Sequence, residues 1–189
     1  MAAPSSPAPS LDEQLDRIEK SLEQDPHNPR LLVQAIDTAL ANGDIAAARK
    51  HANTALDAHP GDAFMRHRHA NVLVAEGRLD EAGMIFQYLK ATHDDPNIAY
   101  NLALVRYRQG NYDAAVKALN PIVDATPARS VALAIRALHH QGRLKEAREV
   151  ADQLLPRYAN DADVLAAASL VCMDDGDIGR AGELARKSL

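Results

Sequence analysis

Eight histidines, one cysteine and an acidic run at 173–179 are the residues of this 189-residue chain best suited to ligate a metal or attack a substrate. Their spacing argues against both roles. Two helical histidines ligate one metal when they stand four apart on one face. No pair here does: His67 and His69 point to different sides of a helix, and His139 and His140 are adjacent. The run MDDGDIG resembles part of a calcium loop but lacks the alternating ligands and the closing glutamate. It reads as turn chemistry. Cys172 stands alone, without a disulfide partner or a ligand spacing, and falls on an inward stripe as a small core residue. No glycine-rich phosphate loop follows a strand. The pattern predicts no catalytic residues, no metal and no cofactor, hence a non-catalytic protein.

Arginine is more informative. The segments 62–75, 97–108 and 128–140 contain Arg66, Arg68, Arg106, Arg108, Arg129 and Arg136, with no lysine and one acid, Asp62. They also hold His67, His69, His139 and His140. The formal net charge of the whole chain is nevertheless −5. Carboxylates must therefore concentrate elsewhere, and a general attraction to nucleic acid or anionic lipid is disfavoured.

The elements that position these residues follow from composition and period. Alanine and leucine abound while aromatic residues are scarce, which favours an all-α fold. Glycines recur at Gly43, Gly77, Gly110, Gly142 and Gly176, spaced by 34, 33, 32 and 34 on subtraction. Five residues after each comes alanine: Ala48, Ala82, Ala115, Ala147 and Ala181. Two residues after each comes a large apolar residue: Ile45, Leu79, Tyr112, Leu144 and Ile178. Twelve after come Ala55, Leu89, Ile122, Leu154 and, in the last copy, Ser188. The chain is a tandem repeat.

Each unit reads as two helices. In DPNIAYNLALVRYRQG, Asp95 caps a helix, Pro96 occupies its first turn, and Ile98, Leu102 and Val105 follow at helical spacing. Gly110 ends that helix and Asn111 starts the next, which carries Tyr112, Ala115, Val116 and Leu119. Ala115 is then the small residue where the two helices cross closely. Pro121 is expected to kink this second helix from within, and Pro156 to end another early. Upstream, residues 11–24 form a lone amphipathic helix, with Leu11, Leu15, Ile18 and Leu22 on one stripe and Ser10 and Glu13 as a capping box. It reads as an N-terminal cap after a disordered Ala-Pro-Ser tail at 1–9.

A helix–turn–helix period near 34 with NLALVRYRQGNYDAAVKAL, AEGRLDEAGMIF, HHQGRLKEAREV and ANGDIAAARKHANTAL resembles the tetratricopeptide repeat (TPR). The resemblance covers roughly residues 25–189, as five repeats at about 28–60, 61–95, 96–126, 127–160 and 161–189 after a capping helix at 10–24. It implies a right-handed α-solenoid of about eleven helices, acting as a protein-binding scaffold. The chain departs from the family in replacing an early aromatic by Leu32, Arg66, Val131 and Leu165.

In this family the first helix of each repeat lines the concave groove, so the resemblance implies a basic groove in an acidic protein. The residues it assigns there are His67, Arg68, Asn71, Tyr100, Asn101, Tyr107, Arg108, Arg129, Arg136 and His139. The implied partner is a protein or peptide, acidic or presenting its C-terminal carboxylate. Some family members clamp such a carboxylate. On that pattern Asn71, Asn101 and Arg129 match, while His67 replaces a lysine and Leu133 a basic residue. The alternative is that the arginines solvate this surface or pair with neighbouring acids.

Two other functional readings stay open: an N-terminal adaptor domain of a larger enzyme, such as a glycosyltransferase or sulfotransferase, and a bacterial secretion chaperone. The abrupt stop at Leu189 suggests a cut chain or an end covered by a partner, with Ala181, Leu184 and Ala185 forming a homodimer contact. The start MAAPSSPAPS is no secretory signal and no stretch is apolar enough to span a bilayer, so the expected setting is cytoplasmic.

Overall fold

The computed structural model describes residues 9–121 and 126–189. Among them are eleven α-helices and no strand. The expected tail and the core position Ile122 lie outside the described residues, except for Pro9 at the tail's end. The chain divides into two compact units, Met1–Ile85 and Phe86–Leu189, with the border inside a helix.

The first unit holds α1 (Leu11–Gln24), α2 (Pro29–Asn42), α3 (Ile45–Ala58), α4 (Ala63–Ala75) and the start of α5 (Leu79–Thr92). Ser10 and Glu13 close the capping box in both directions, at 3.2 and 3.0 Å. Helix α1 packs on α2, which packs on α3 and α4. Leu15 and Leu22 of the α1 stripe enter a core with Leu32, Ile36, Ala48, Ala52 and Met65, and Ile18 packs against its edge.

A polar latch reinforces the docking of α1. The Glu19 carboxylate accepts hydrogen bonds from Lys50 at 3.1 Å and from His51 at 2.7 Å, and the His51 side chain is buried. Burial works against the charged carboxylate, but those two donors outweigh it and hold Glu19 below the usual carboxylate range. A depressed folded pKa contributes stability above the ordinary value of about 4.3 and loses it as pH falls through the folded value. Protection of the α1 amides against hydrogen exchange should therefore decline on acidification below about pH 4.3. In Glu19→Gln it should be lower at neutral pH and nearly flat over that range. Equal protection profiles for the two proteins would show that the latch does not hold α1.

The second unit holds the rest of α5, then α6 (Pro96–Arg108), α7 (Tyr112–Leu119), α8 (Ala128–His140), α9 (Leu144–Leu154), α10 (Ala162–Asp174) and α11 (Ile178–Lys187). Asp95 caps α6 by accepting from the Asn97 amide at 2.8 Å, with Pro96 in the first turn. Gly110 has φ +75° and ends the hairpin turn, after which the Asn111 side chain caps α7. Each of α8 and α10 packs on the helix before and after it, and α8 also touches α6 and α10.

One element departs from expectation. Helix α7 stops at Leu119 after eight residues, with extended backbone at Asn120. Pro121 lies two residues past the end of α7, and the residues that would follow a kink, 122–125, lie outside the described residues. A proline at that place has no N–H for the Lys117 carbonyl, and its ring disfavours helical backbone at Asn120. Beside this early end a cavity of about 520 Å³ opens, lined among the described residues by Thr92, Pro96, Ala99, Leu119, Pro127 and Ser130. Pro156 behaves as expected, following the end of α9.

Candidate functional site

Each unit presents its own cationic first helices, and their charges meet different fates. In the first unit the Arg68 guanidinium pairs with Asp37 of α2 at 2.9 Å and lies over the Phe64 ring at 4.3 Å. It also donates to His67 Nδ1 at 3.1 Å, and His67 is itself buried. Arg66 is spent locally, donating twice to the Pro60 carbonyl at 2.8 and 3.2 Å. Asn71 is half-buried on the same helix. Next to it, burial and the nearby Arg78 push the His69 imidazole below its ordinary pKa, which favours the neutral ring. The positive charge of α4 is thus largely absorbed within the unit.

In the second unit it is absorbed only in part. Arg129 donates to the Asn97 side-chain amide oxygen and places its guanidinium over the Tyr100 ring at 4.7 Å. Both partners are neutral, and no carboxylate among the described residues is within ion-pair distance of Arg129. Arg108 is exposed at the end of α6, also without an ion pair among the described residues. Asn97, Asn101 and Arg108 stand at i, i+4 and i+11, so they share one stripe of α6. At 1.5 Å per residue that stripe is about 16 Å long. It could contact about five residues of an extended peptide.

The remaining expected residues are engaged at junctions between helices. Arg136 reaches Asp163 of α10 at 3.3 Å, and His139 meets Asp174 of the same helix at 2.7 Å. Tyr107 packs edge-on against Tyr112 at 5.3 Å and against His140 at 5.5 Å. Burial raises the Tyr107 hydroxyl pKa, so it stays neutral. Leu133 is buried. Sequence reasoning missed Asp37, Phe64 and Asn97 as partners. Phe64 was accessible, because it precedes Arg68 by four residues on one face.

No group of three or more possible metal-ligating side chains occurs among the described residues. Burial pushes the Cys172 thiol up, disfavouring the thiolate that nucleophilic chemistry needs.

Comparison with known proteins finds a repeat family over most of the chain. Models of the Tetratricopeptide repeat match residues 67–130 and 100–162, and another matches 15–66. The chain belongs to the tetratricopeptide repeat family. Such repeats bind protein partners, are generally non-catalytic, and make this chain a protein-interaction scaffold.

Cellulose synthase operon protein C of Xanthomonas axonopodis pv. citri (strain 306) is 30% identical over 161 residues, covering 77% of this chain. The chain spans only 11% of that relative's length. Among solved structures, the type IV pilus biogenesis factor PilW superposes with a TM-score of 0.80 at 20% identity, covering 92% of this chain and 82% of PilW. YrrB, described as a TPR protein with an unusual peptide-binding site, gives 0.66 at 17% identity, covering 92% and 91%. At these identities the two structures establish the fold alone. No helix among the described residues is long and apolar enough to cross a membrane.

Proposed function

We propose that this repeat protein is a non-catalytic scaffold that binds an acidic segment of a partner protein along the first helices α6 and α8. The observation that carries this reading is Arg129, a guanidinium oriented by Tyr100 and Asn97 and left without a carboxylate among the described residues. Orienting the fork in advance lowers the entropy lost when it closes on a carboxylate. Arg108, some 16 Å along the same stripe by the helical rise, supplies a second anchor. A broad groove for an anionic peptide fits these residues better than a carboxylate clamp. The clamp needs an accessible cation where His67 is buried and another where Leu133 is buried. The same reading keeps the five repeat borders given above and the capping role of α1.

Fluorescence anisotropy with a labelled Asp/Glu-rich peptide tests it. Binding should be weak and should fall as salt rises, because exposed charges are screened within about 8 Å at physiological ionic strength. The double variant Arg108→Glu, Arg129→Glu should weaken binding by at least roughly tenfold, about 1.4 kcal/mol, with helicity unchanged. Undiminished binding by the variant would move the site elsewhere.

The likeness to cellulose synthase operon protein C favours a second reading, in which this scaffold serves a larger assembly for cellulose synthesis. Retention of cellulose-synthesis components on the immobilised chain, lost in the same double variant, would support it.

A further inference from the structure

The apolar stripe expected to meet a second copy, Ala181 and Leu184, is instead buried against α10 within its own hairpin. An apolar surface that stands open lies in the first unit, where α4 packs on α2. Thirteen residues before the five turn glycines come Arg30, Phe64, Asn97, Arg129 and Asp163. Four of these positions carry a charge or an amide, and one carries an aromatic ring. Phe64 is 51% exposed, so burial within its own fold does not account for that ring.

The ring borders a cavity of about 340 Å³. Pro29 and Val33 of α2 and the buried Met65 of α4 supply its other apolar walls. The Phe64 wall is held in advance. Arg68 lies over the ring at 4.3 Å and is itself fixed by Asp37 at 2.9 Å. Little ordering is then left to do when a ligand arrives. A concave, mostly apolar site with a few polar groups at its edge suits the side chain of a partner.

Two charged residues line the same cavity, and they differ in what already holds them. The Asp62 carboxylate caps α4, accepting from the Phe64 and Met65 amides at 2.7 and 3.1 Å. The positive end of the helix dipole offsets its charge there. Arg30 is exposed, and its guanidinium has no ion pair among the described residues. The uncompensated charge beside the cavity is therefore positive, and it favours an apolar side chain that has a carboxylate next to it.

We propose that the α2–α4 cavity holds an aromatic or leucine side chain of the partner protein, next to an Asp or Glu of the same segment that pairs with Arg30. This site is separate from the α6–α8 surface and does not rest on that reading. Fluorescence anisotropy of the full chain with labelled Glu-Glu-Phe-Glu-Glu, Glu-Glu-Ala-Glu-Glu and Gln-Gln-Phe-Gln-Gln peptides tests it. The acidic Phe peptide should bind roughly tenfold or more tighter than the Ala peptide, the effect of burying one aromatic side chain. It should also bind tighter than the Gln peptide, and Arg30→Gln should narrow that second gap. Phe64→Asn installs the residue type that the third repeat carries and should remove the preference for Phe while circular dichroism stays unchanged. Val33→Trp, which fills the cavity and leaves Phe64 in place, should remove it as well. The preference should persist in the Arg108→Glu, Arg129→Glu protein, so failure of the α6–α8 reading and failure of this site are distinguishable. A wild type without a preference for Phe over Ala overturns the proposal. So does a Phe64→Asn or Val33→Trp protein that keeps the full preference.

Discussion

Replacing Phe86 with alanine is expected to cost about 3–5 kcal/mol of stability. Phe86 has no exposed surface and stands first by volume among the fully buried side chains of the described residues. It lies on α5 in one stripe with Ala82 and Leu89, both also fully buried. Alanine removes the apolar transfer energy of the ring and leaves a space that close-packed neighbours fill only in part. For a chain of this size the melting temperature should fall by roughly 10 °C or more. Urea unfolding followed by circular dichroism measures the cost. A loss below about 1 kcal/mol would mean that Phe86 is not packed as described.

The second large effect runs the other way, by adding volume. Ala115→Leu should destabilise by about 1–3 kcal/mol. Ala115 is fully buried five residues after Gly110, and its counterparts Ala48, Ala82 and Ala147 are buried as completely. Helices that approach to the distance a methyl group permits have no room for a leucine without backbone movement or strained rotamers. Lys117→Leu is the control two residues away. Its side chain is 74% exposed and pairs with Asp113 at 2.6 Å. An exposed pair of this kind contributes about 0–1 kcal/mol. Equal losses for the two variants in thermal melts would show that the helix crossing is not at Ala115.

Much of the fold was legible because the elements obey local rules. Ser10 with Glu13 and Asp95 with Pro96 are helix starts that depend on residues within one turn of each other, and the structure places helices after both. The glycine–alanine register located every hairpin for the same reason. Pro121 was expected inside the second helix because the apolar period continues past it to Ile122, whereas α7 ends at Leu119 and Ile122 lies outside the described residues. The end of the chain was misread for a different reason. Ala181 and Leu184 form an apolar stripe, but a stripe does not reveal whether it faces its own hairpin partner or the outside. Least legible was the fate of each arginine. Arg68 is neutralised by Asp37, thirty-one residues earlier, while among the described residues Arg129 meets Asn97 and Tyr100 and no carboxylate. No local pattern distinguishes the two.

The five turn glycines share φ values between 72° and 83°, and nothing stands within 4 Å of the place where a Cβ would begin. Room is therefore not what restricts these positions. The obstacle is stereochemical: at such φ an L-residue sets its Cβ against the carbonyl oxygen that follows, and a D-residue does not. A mirror-image alanine would not meet its own backbone in this way, and would also narrow the conformations open to the unfolded turn. At one place in every copy, the chain needs the single genetically encoded residue that has no chirality.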